Sequence, residues 1–195
     1  QQMITEGIIT SPEDILDASR RTNKEASRMH HIILEMLELS KLESKEETKL
    51  EELNVNSILT DILEQFNNDI VEKRLELITS LEDMSLIMNY SHLYQLVRNL
   101  VENAIKYNVD GGKLEISLSK KNREFIVRDT GVGISSQEQS RIFERFYRVD
   151  KARSKDQGGT GLGLSIVKHI CTLYNADIFL TSKLNKGTTI KIQFK

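Results

Sequence analysis

The stretch Asn99-Leu100-Val101-Glu102-Asn103-Ala104-Ile105-Lys106-Tyr107 decides how this chain is read. With the residues before it, it carries Leu93, Leu96, Val97, Leu100, Val101 and Ala104 at helical spacing. That spacing predicts a helix, capped by Asn89 and ending near Tyr107, with one apolar face to lay on a sheet. Asn99, Asn103 and Lys106 fall four and three residues apart, so they form one polar stripe, with Glu102 beside it. Asparagine is a poor residue inside a helix, because its side chain competes for backbone hydrogen bonds. An amide oxygen is a hard ligand of the kind Mg²⁺ accepts, and Mg²⁺ usually arrives with phosphates. The stripe is equally readable as an ordinary solvated face, and its spacing does not choose between the two.

Working outward, strands are predicted at 113–119 and 124–129 on one side, and at 75–81 and 85–88 on the other. Asn54 or Asn56 caps a helix carrying Ile58, Ile62, Leu63 and Phe66. Residues 162–174 read as an amphipathic helix, and 177–182 with 188–194 as a hairpin around Asn185-Lys186-Gly187. A short helix is expected near 136–146, with Ser135 and Glu138 spaced as a capping box. Helices and strands mix without regular βαβ alternation, which argues for α+β: one sheet with helices on one face. Ahead of this, Ser11-Pro12-Glu13-Asp14 starts a long helix running to about Glu43. Met29, Ile32, Ile33, Met36, Leu37 and Leu39 give it an apolar face broad enough for a helical bundle. Residues 1–8 read as the tail of an earlier helix, and 43–47 as a linker or helix end.

The chain has 195 residues, 38% hydrophobic and 29% charged. At about 150 residues per domain it holds one domain or a domain and a fraction. Its net charge of -2 carries no basic excess of the kind a nucleic-acid binder shows. No apolar run approaches the ~18 residues that span a bilayer, and no signal-peptide pattern opens the chain. The lone Cys171 rules out an internal disulfide framework and fits a reducing compartment, with the residue itself read as core.

Six of the ten glycines lie between Gly131 and Gly163. Asp129-Thr130-Gly131-Val132-Gly133 follows a strand. A carboxylate there can accept from an exocyclic amine such as adenine's, while the glycines let a flat ring approach the backbone. A simple tight turn has the same pattern. Gly158-Gly159-Thr160-Gly161-Leu162-Gly163-Leu164 runs into a helix, where free N–H groups and the helix dipole favour an anion. No Lys-Ser/Thr pair follows, so this is not a Walker A loop. Between the two, residues 141–156 hold six basic and three acidic side chains. That composition suits a lid over a polyphosphate across 149–159, or a solvated surface helix anchored by Phe143 and Phe146.

Together these segments resemble the catalytic core of bacterial sensor histidine kinases, members of the GHKL ATPase superfamily. Asn99 to Tyr107 looks like the N box, Asp129 to Gly133 like the first glycine box, Phe143-Glu144-Arg145-Phe146-Tyr147-Arg148 like the F box, and Gly159 to Leu164 like the second glycine box. Leu37-Glu38-Leu39-Ser40-Lys41-Leu42-Glu43 is similar to the end of the second dimerisation helix. The resemblance implies a two-layer α/β sandwich at 48–195, preceded at 1–47 by part of a helical dimerisation hairpin. It implies ATP and Mg²⁺, with Asn103 on the metal and Asn99 supporting the phosphates. Lys106 and Tyr107 would line the nucleotide, and Asp129, with Gly131 and Gly133, would recognise adenine. Thr160, Gly161, Leu162 and Gly163 would meet the phosphates, and Arg145 and Arg148 would act from the lid. The implied activity is transfer of the ATP γ-phosphoryl group to a histidine, for relay to a response regulator receiver domain. The implied assembly is a homodimer through the hairpin, on the cytoplasmic side of a parent whose membrane parts lie outside this chain.

One departure bears on that activity. The family's acceptor is a histidine followed by an acid, and none of His30, His31, His92 or His169 is followed by Asp or Glu. The expectation is therefore a kinase cut after its acceptor box, with no catalytic residue of its own and these histidines structural. An alternative is a dimerisation and regulator-docking module in which nucleotide only sets conformation. A chaperone- or topoisomerase-type ATPase is disfavoured by the F box and the helical hairpin.

Overall fold

A computed structural model describes residues 11–43, 49–149 and 160–195. Helix α1, Pro12–Glu43, opens as expected: the Asp14 N–H donates to Ser11 Oγ at 3.1 Å, and Glu13 and Asp14 occupy the first turn. Strand β1, Glu51–Asn54, pairs antiparallel with β3, Ser85–Met88, in a two-stranded ribbon. Between them lie α2, Val55–Gln65, α3, Asn67–Glu72, and β2, Glu76–Leu81. Asn54, not Asn56, caps α2, accepting from the Ser57 N–H. Helix α4, Tyr90–Lys106, is capped by Asn89, whose side chain accepts from the His92 N–H. Strands β4, Lys113–Ser119, and β5, Glu124–Asp129, follow, then α5, Gly163–Leu173, and the hairpin β6, Asp177–Lys183, and β7, Gly187–Gln193.

Five strands form one sheet in the order β2-β4-β5-β7-β6; β2 runs parallel to β4, and every other pair is antiparallel. Alternation puts Leu114, Ile116, Leu118, Phe125, Val127, Ile190 and Ile192 on one buried face. Helices α4 and α5 cover that face with Leu93, Leu96, Val97, Leu100, Ile166, Val167 and Ile170, and α2 packs beside α4. Leu39 and Leu42 of α1 join the same core, whereas Met29, Ile33, Leu34, Met36 and Leu37 stay exposed.

The expected helix near 136–146 is corrected to a run of turns. The Glu138 and Gln139 N–H groups both donate to Ser135 O, and Arg141 and Ile142 both to Glu138 O. Ser135 thus acts through its carbonyl rather than in a capping box. The Gln139 amide donates to Ile134 O and Ser182 O, which pulls the segment onto the end of the sheet. Phe146 then adopts a left-handed conformation (φ 61°) that a helix cannot continue through. The apolar anchor here is the buried Ile142; Phe146 is 52% exposed. The earlier helix expected at 1–8, residues 44–47 of the linker expected at 43–47, and residues 150–159 of the lid expected at 149–159 lie outside the described residues. Among the described residues, no helix is long and apolar enough to cross a membrane.

Candidate functional site

The polar stripe of α4 faces the start of α5. Asn99 is oriented from its own helix: its Nδ2 donates to Gln95 O at 2.8 Å, which turns Oδ1 outward. A Cβ on Gly163 would stand 2.6 Å from Asn99 Oδ1 and 3.9 Å from Asn103 Nδ2. Glycine at 163 therefore lets the N-terminal turn of α5 sit directly on the asparagines. No side chain caps that turn, so its free N–H groups and positive dipole end face the stripe.

The C-terminal end of the same stripe carries Lys106 and Tyr107. Burial holds the Lys106 ammonium below its usual pKa; Glu102 opposes this, Arg148 adds to it, Glu35 opposes it and Lys73 adds to it. The Tyr107 hydroxyl is pushed up by burial, which the nearby Arg148 offsets. Its ring keeps 39% of its surface open and lies under the Lys106 ammonium at 5.7 Å. The charge of Arg148 thus reaches this end of α4. Arg145 is exposed and, with Arg141, Phe146 and Tyr147, lines a cavity of ≈ 420 Å³.

Asp129 closes β5 and is 8% exposed. Its Oδ1 accepts from the Gly131 N–H at 2.8 Å and the Thr188 N–H at 3.2 Å, and no described bond falls on Oδ2. Burial raises its pKa, and these two backbone bonds partly offset the rise. The carboxyl is held in place by one oxygen with the other available to a donor.

The glycines beside it have a steric reason within the fold itself. A Cβ on Gly131 would stand 2.1 Å from Tyr107 O, and one on Gly133 2.0 Å from Lys183 O. Both glycines are needed where backbone meets backbone. The first holds the loop against the end of α4, where the Val132 N–H donates to Tyr107 O. Gly161, with φ +80°, likewise abuts residues 146–147, and the Phe146 N–H donates to Gly161 O. The second glycine box and the F-box turn are thereby joined. Leu162, expected at the phosphates, is fully buried in the core, so its backbone is the part near the site.

Two residues without a local sequence signal also belong to this region. Lys73 Nζ donates to Ile105 O at 2.9 Å, to Lys106 O at 2.7 Å and, more loosely, to Asn108 O at 3.4 Å, closing the C-terminus of α4. Thr160 Oγ1 donates to the Glu35 carboxylate of α1, a contact across 125 positions of sequence. Nearby, His169 Nε2 lies 3.3 Å from Leu42 O. His92 is buried, its Nδ1 2.8 Å from Tyr174 Oη, and burial lowers its pKa. The Cys171 thiol is pushed up to about 12 by burial, which makes it inert.

The residues suit a nucleotide and a cation that comes with it. Among the described residues no group of three or more His, Cys, Asp or Glu could cage a metal. Single amide oxygens suit Mg²⁺ that keeps its remaining ligands from phosphate and water. The uncapped N-terminal turn of α5, set on those amides by Gly163, has the chemistry to take an anion.

Comparison with known proteins agrees with this geometry. Residues 88–195 match the family described as histidine kinase-, DNA gyrase B-, and HSP90-like ATPase. The chain is 37% identical over 177 residues to the sensor histidine kinase RppB of Synechocystis sp., covering 87% of this chain and 38% of RppB. The chain thus spans well under half the length of that relative. Among solved structures, the mycobacterial sensor histidine kinase MprB is 25% identical with a TM-score of 0.65, covering 75% of this chain and 97% of the solved chain. The histidine kinase ThkA, solved in complex with the response regulator protein TrrA, shares the fold. It has a TM-score of 0.75 at 21% identity, covering 98% of this chain and 54% of that one.

Proposed function

This chain belongs to the histidine kinase-, DNA gyrase B-, and HSP90-like ATPase family, and we propose that it is the ATP-binding catalytic part of a two-component sensor histidine kinase. The observation that carries the proposal is the seating of the α5 N-terminus on Asn99 through Gly163. It supports the reading because uncapped N–H groups can take an anion and the amides beside them a cation, while the Asp129 carboxylate can accept from a base.

In this reading Asp129 accepts the adenine amino group through Oδ2, while Gly131 and Thr188 hold Oδ1. Gly133 shapes the loop, and Lys106 and Tyr107 line the nucleotide. The N-terminal turn of α5, from Thr160 through Gly161, Leu162 and Gly163, meets the phosphates, with Asn99 supporting them. Asn103 would hold Mg²⁺, which supplies charge neutralisation on the phosphates when bound. Arg148, already beside Lys106 and Tyr107, is the better placed of the two F-box arginines to reach the phosphate tail; Arg145 would have to turn inward.

Catalysis of this kind rests on positioning and electrostatics. An acceptor imidazole nitrogen forms the new P–N bond in line with the breaking bond between the γ-phosphorus and the bridging oxygen, and ADP leaves with that electron pair. The acceptor would be a histidine with an acidic neighbour, which none of His30, His31, His92 and His169 has. It would lie on a dimerisation helix outside these 195 residues. Residues 1–47 would be the rest of that helical hairpin, and 48–195 the ATPase domain. The exposed apolar face of α1 suits the homodimer of such a hairpin. The partner downstream would be a response regulator receiver domain, as ThkA has in TrrA. The setting would be the cytoplasmic side of a membrane-bound parent.

Calorimetry tests the site. Mg-ATP or Mg-ADP should bind, and Asn103→Ala and Asp129→Asn should each weaken binding at least tenfold, about 1.4 kcal/mol. Unchanged affinity in both variants would remove the assignment.

A further inference from the structure

Helix α1 reaches the phosphate-binding end of the site through one acidic side chain. Glu35 is half-buried and accepts a hydrogen bond from Thr160 Oγ1. That hydroxyl in turn accepts from the Leu162 N–H at 3.2 Å, at the very start of α5. One turn further along α1, Leu39 is buried, and Leu42 beyond it is buried and meets His169 on α5. The helix therefore leans on α5 with a carboxylate at its N-terminal mouth. An anion is favoured there for the same reasons a phosphate is: free N–H groups, a hydroxyl donor and the positive end of the dipole. The Lys106 ammonium also feels the Glu35 charge.

Resting on the nucleotide reading above, we propose that Glu35 is a built-in competitor for the nucleotide's phosphate chain, so that docking of α1 through Glu35 and binding of phosphates exclude one another. Two anions cannot share the Thr160 hydroxyl and the α5 N-terminus. The phosphates must displace Glu35, which weakens nucleotide binding. By linkage, nucleotide must loosen this contact of α1 to the same degree.

Calorimetry with Mg-ATP on the 195-residue chain tests this, comparing wild type with Glu35→Gln. Glutamine can still accept from Thr160, so the shape of the contact survives and only the charge is lost. Glu13→Gln makes the same charge change about 33 Å away along the helix, at 1.5 Å per residue. Glu35→Gln should bind Mg-ATP at least fivefold more tightly than wild type, and Glu13→Gln should match wild type. Equal or weaker binding by Glu35→Gln, with wild type binding normally, would overturn the competition and leave the nucleotide site standing. An equal gain in Glu13→Gln would also overturn it, because the effect would then be general charge. Failure of all three chains to bind would overturn the site and the competition together.

Discussion

At the scale of single residues, Asp129 shows how a carboxylate is kept where burial disfavours it. Two backbone donors on Oδ1 hold the group, yet its pKa stays raised because desolvation outweighs them. The sign follows. A carboxyl whose pKa is higher folded than unfolded binds its proton more tightly in the native state. Its contribution to stability is therefore greatest below the ordinary carboxylate pKa of about 3.9 and is lost as pH rises through the raised folded value. Asp129→Asn keeps an oxygen for Gly131 and Thr188 and has no charge to bury. The variant should thus gain stability relative to wild type as pH rises from about 4 to 7, while losing nucleotide affinity. Urea unfolding across that range checks it; a variant that loses stability relative to wild type with rising pH contradicts the burial argument.

At the scale of elements, the end of α4 is held by a lysine from another part of the chain. Lys73 bonds three carbonyls where the helix stops, and the chain beyond carries Tyr107 and Asn108 into the loop against Gly131. A cation there complements the negative end of the helix dipole as well as the carbonyls of the last turn. Lys73→Met takes the ammonium donor from all three, and only Ile105 O keeps a backbone donor, the Asn108 N–H at 3.3 Å. It should cost about 2 kcal/mol, the range for hydrogen bonds to charged groups. Chemical denaturation of Lys73→Met measures this loss, and Lys73→Arg should recover a good part of it. A loss within 0.5 kcal/mol of zero, or of about that size, would show that water replaces the ammonium there. The F-box turn is the contrasting element. The run leading into it makes local turn bonds but is also tied to the sheet end through Gln139 and to Gly161 through the left-handed Phe146, so a helical pattern in its sequence produced no helix.

At the scale of the whole molecule, the proposed reading puts the nucleotide half and the acceptor half of the reaction on separate segments. The chain should bind ATP without acquiring an acid-labile phosphoryl group on His30, His31, His92 or His169. Adding a separate helical-hairpin domain that carries a histidine followed by an acid should give labelling of that domain in trans, at a rate limited by docking. Radiolabel transfer with acid and base washes distinguishes phosphohistidine from ester. Label on His30 or His31 of the chain alone would contradict the assignment of the acceptor to another segment. Helix α1 has two faces: Leu39 and Leu42 are buried in the core, and Met29, Ile33, Met36 and Leu37 are exposed, an arrangement compatible with the proposed homodimer.

The sequence by itself determined what local periodicity and capping chemistry can encode. Asn89 and Ser11 mark helix starts, the alternation at 113–119 and 124–129 marks strands whose bounds coincide with β4 and β5, and the spacing of Asn99, Asn103 and Lys106 marks one helical stripe. The four boxes were legible because each is a short run of unusual residues. Tertiary structure alone decided what those runs touch. It set Gly131 and Gly133 against Tyr107 and Lys183 rather than against open space, placed Gly163 on Asn99, and brought Lys73 and Glu35 to the two ends of the site. It also replaced the short helix at 136–146 by turns. The reason is physical: a helix or strand pattern reports which face of an element leaves water. The approach of two backbones, or of one charge to a distant hydroxyl, depends on how separate elements pack around the core, and no spacing along the chain records it.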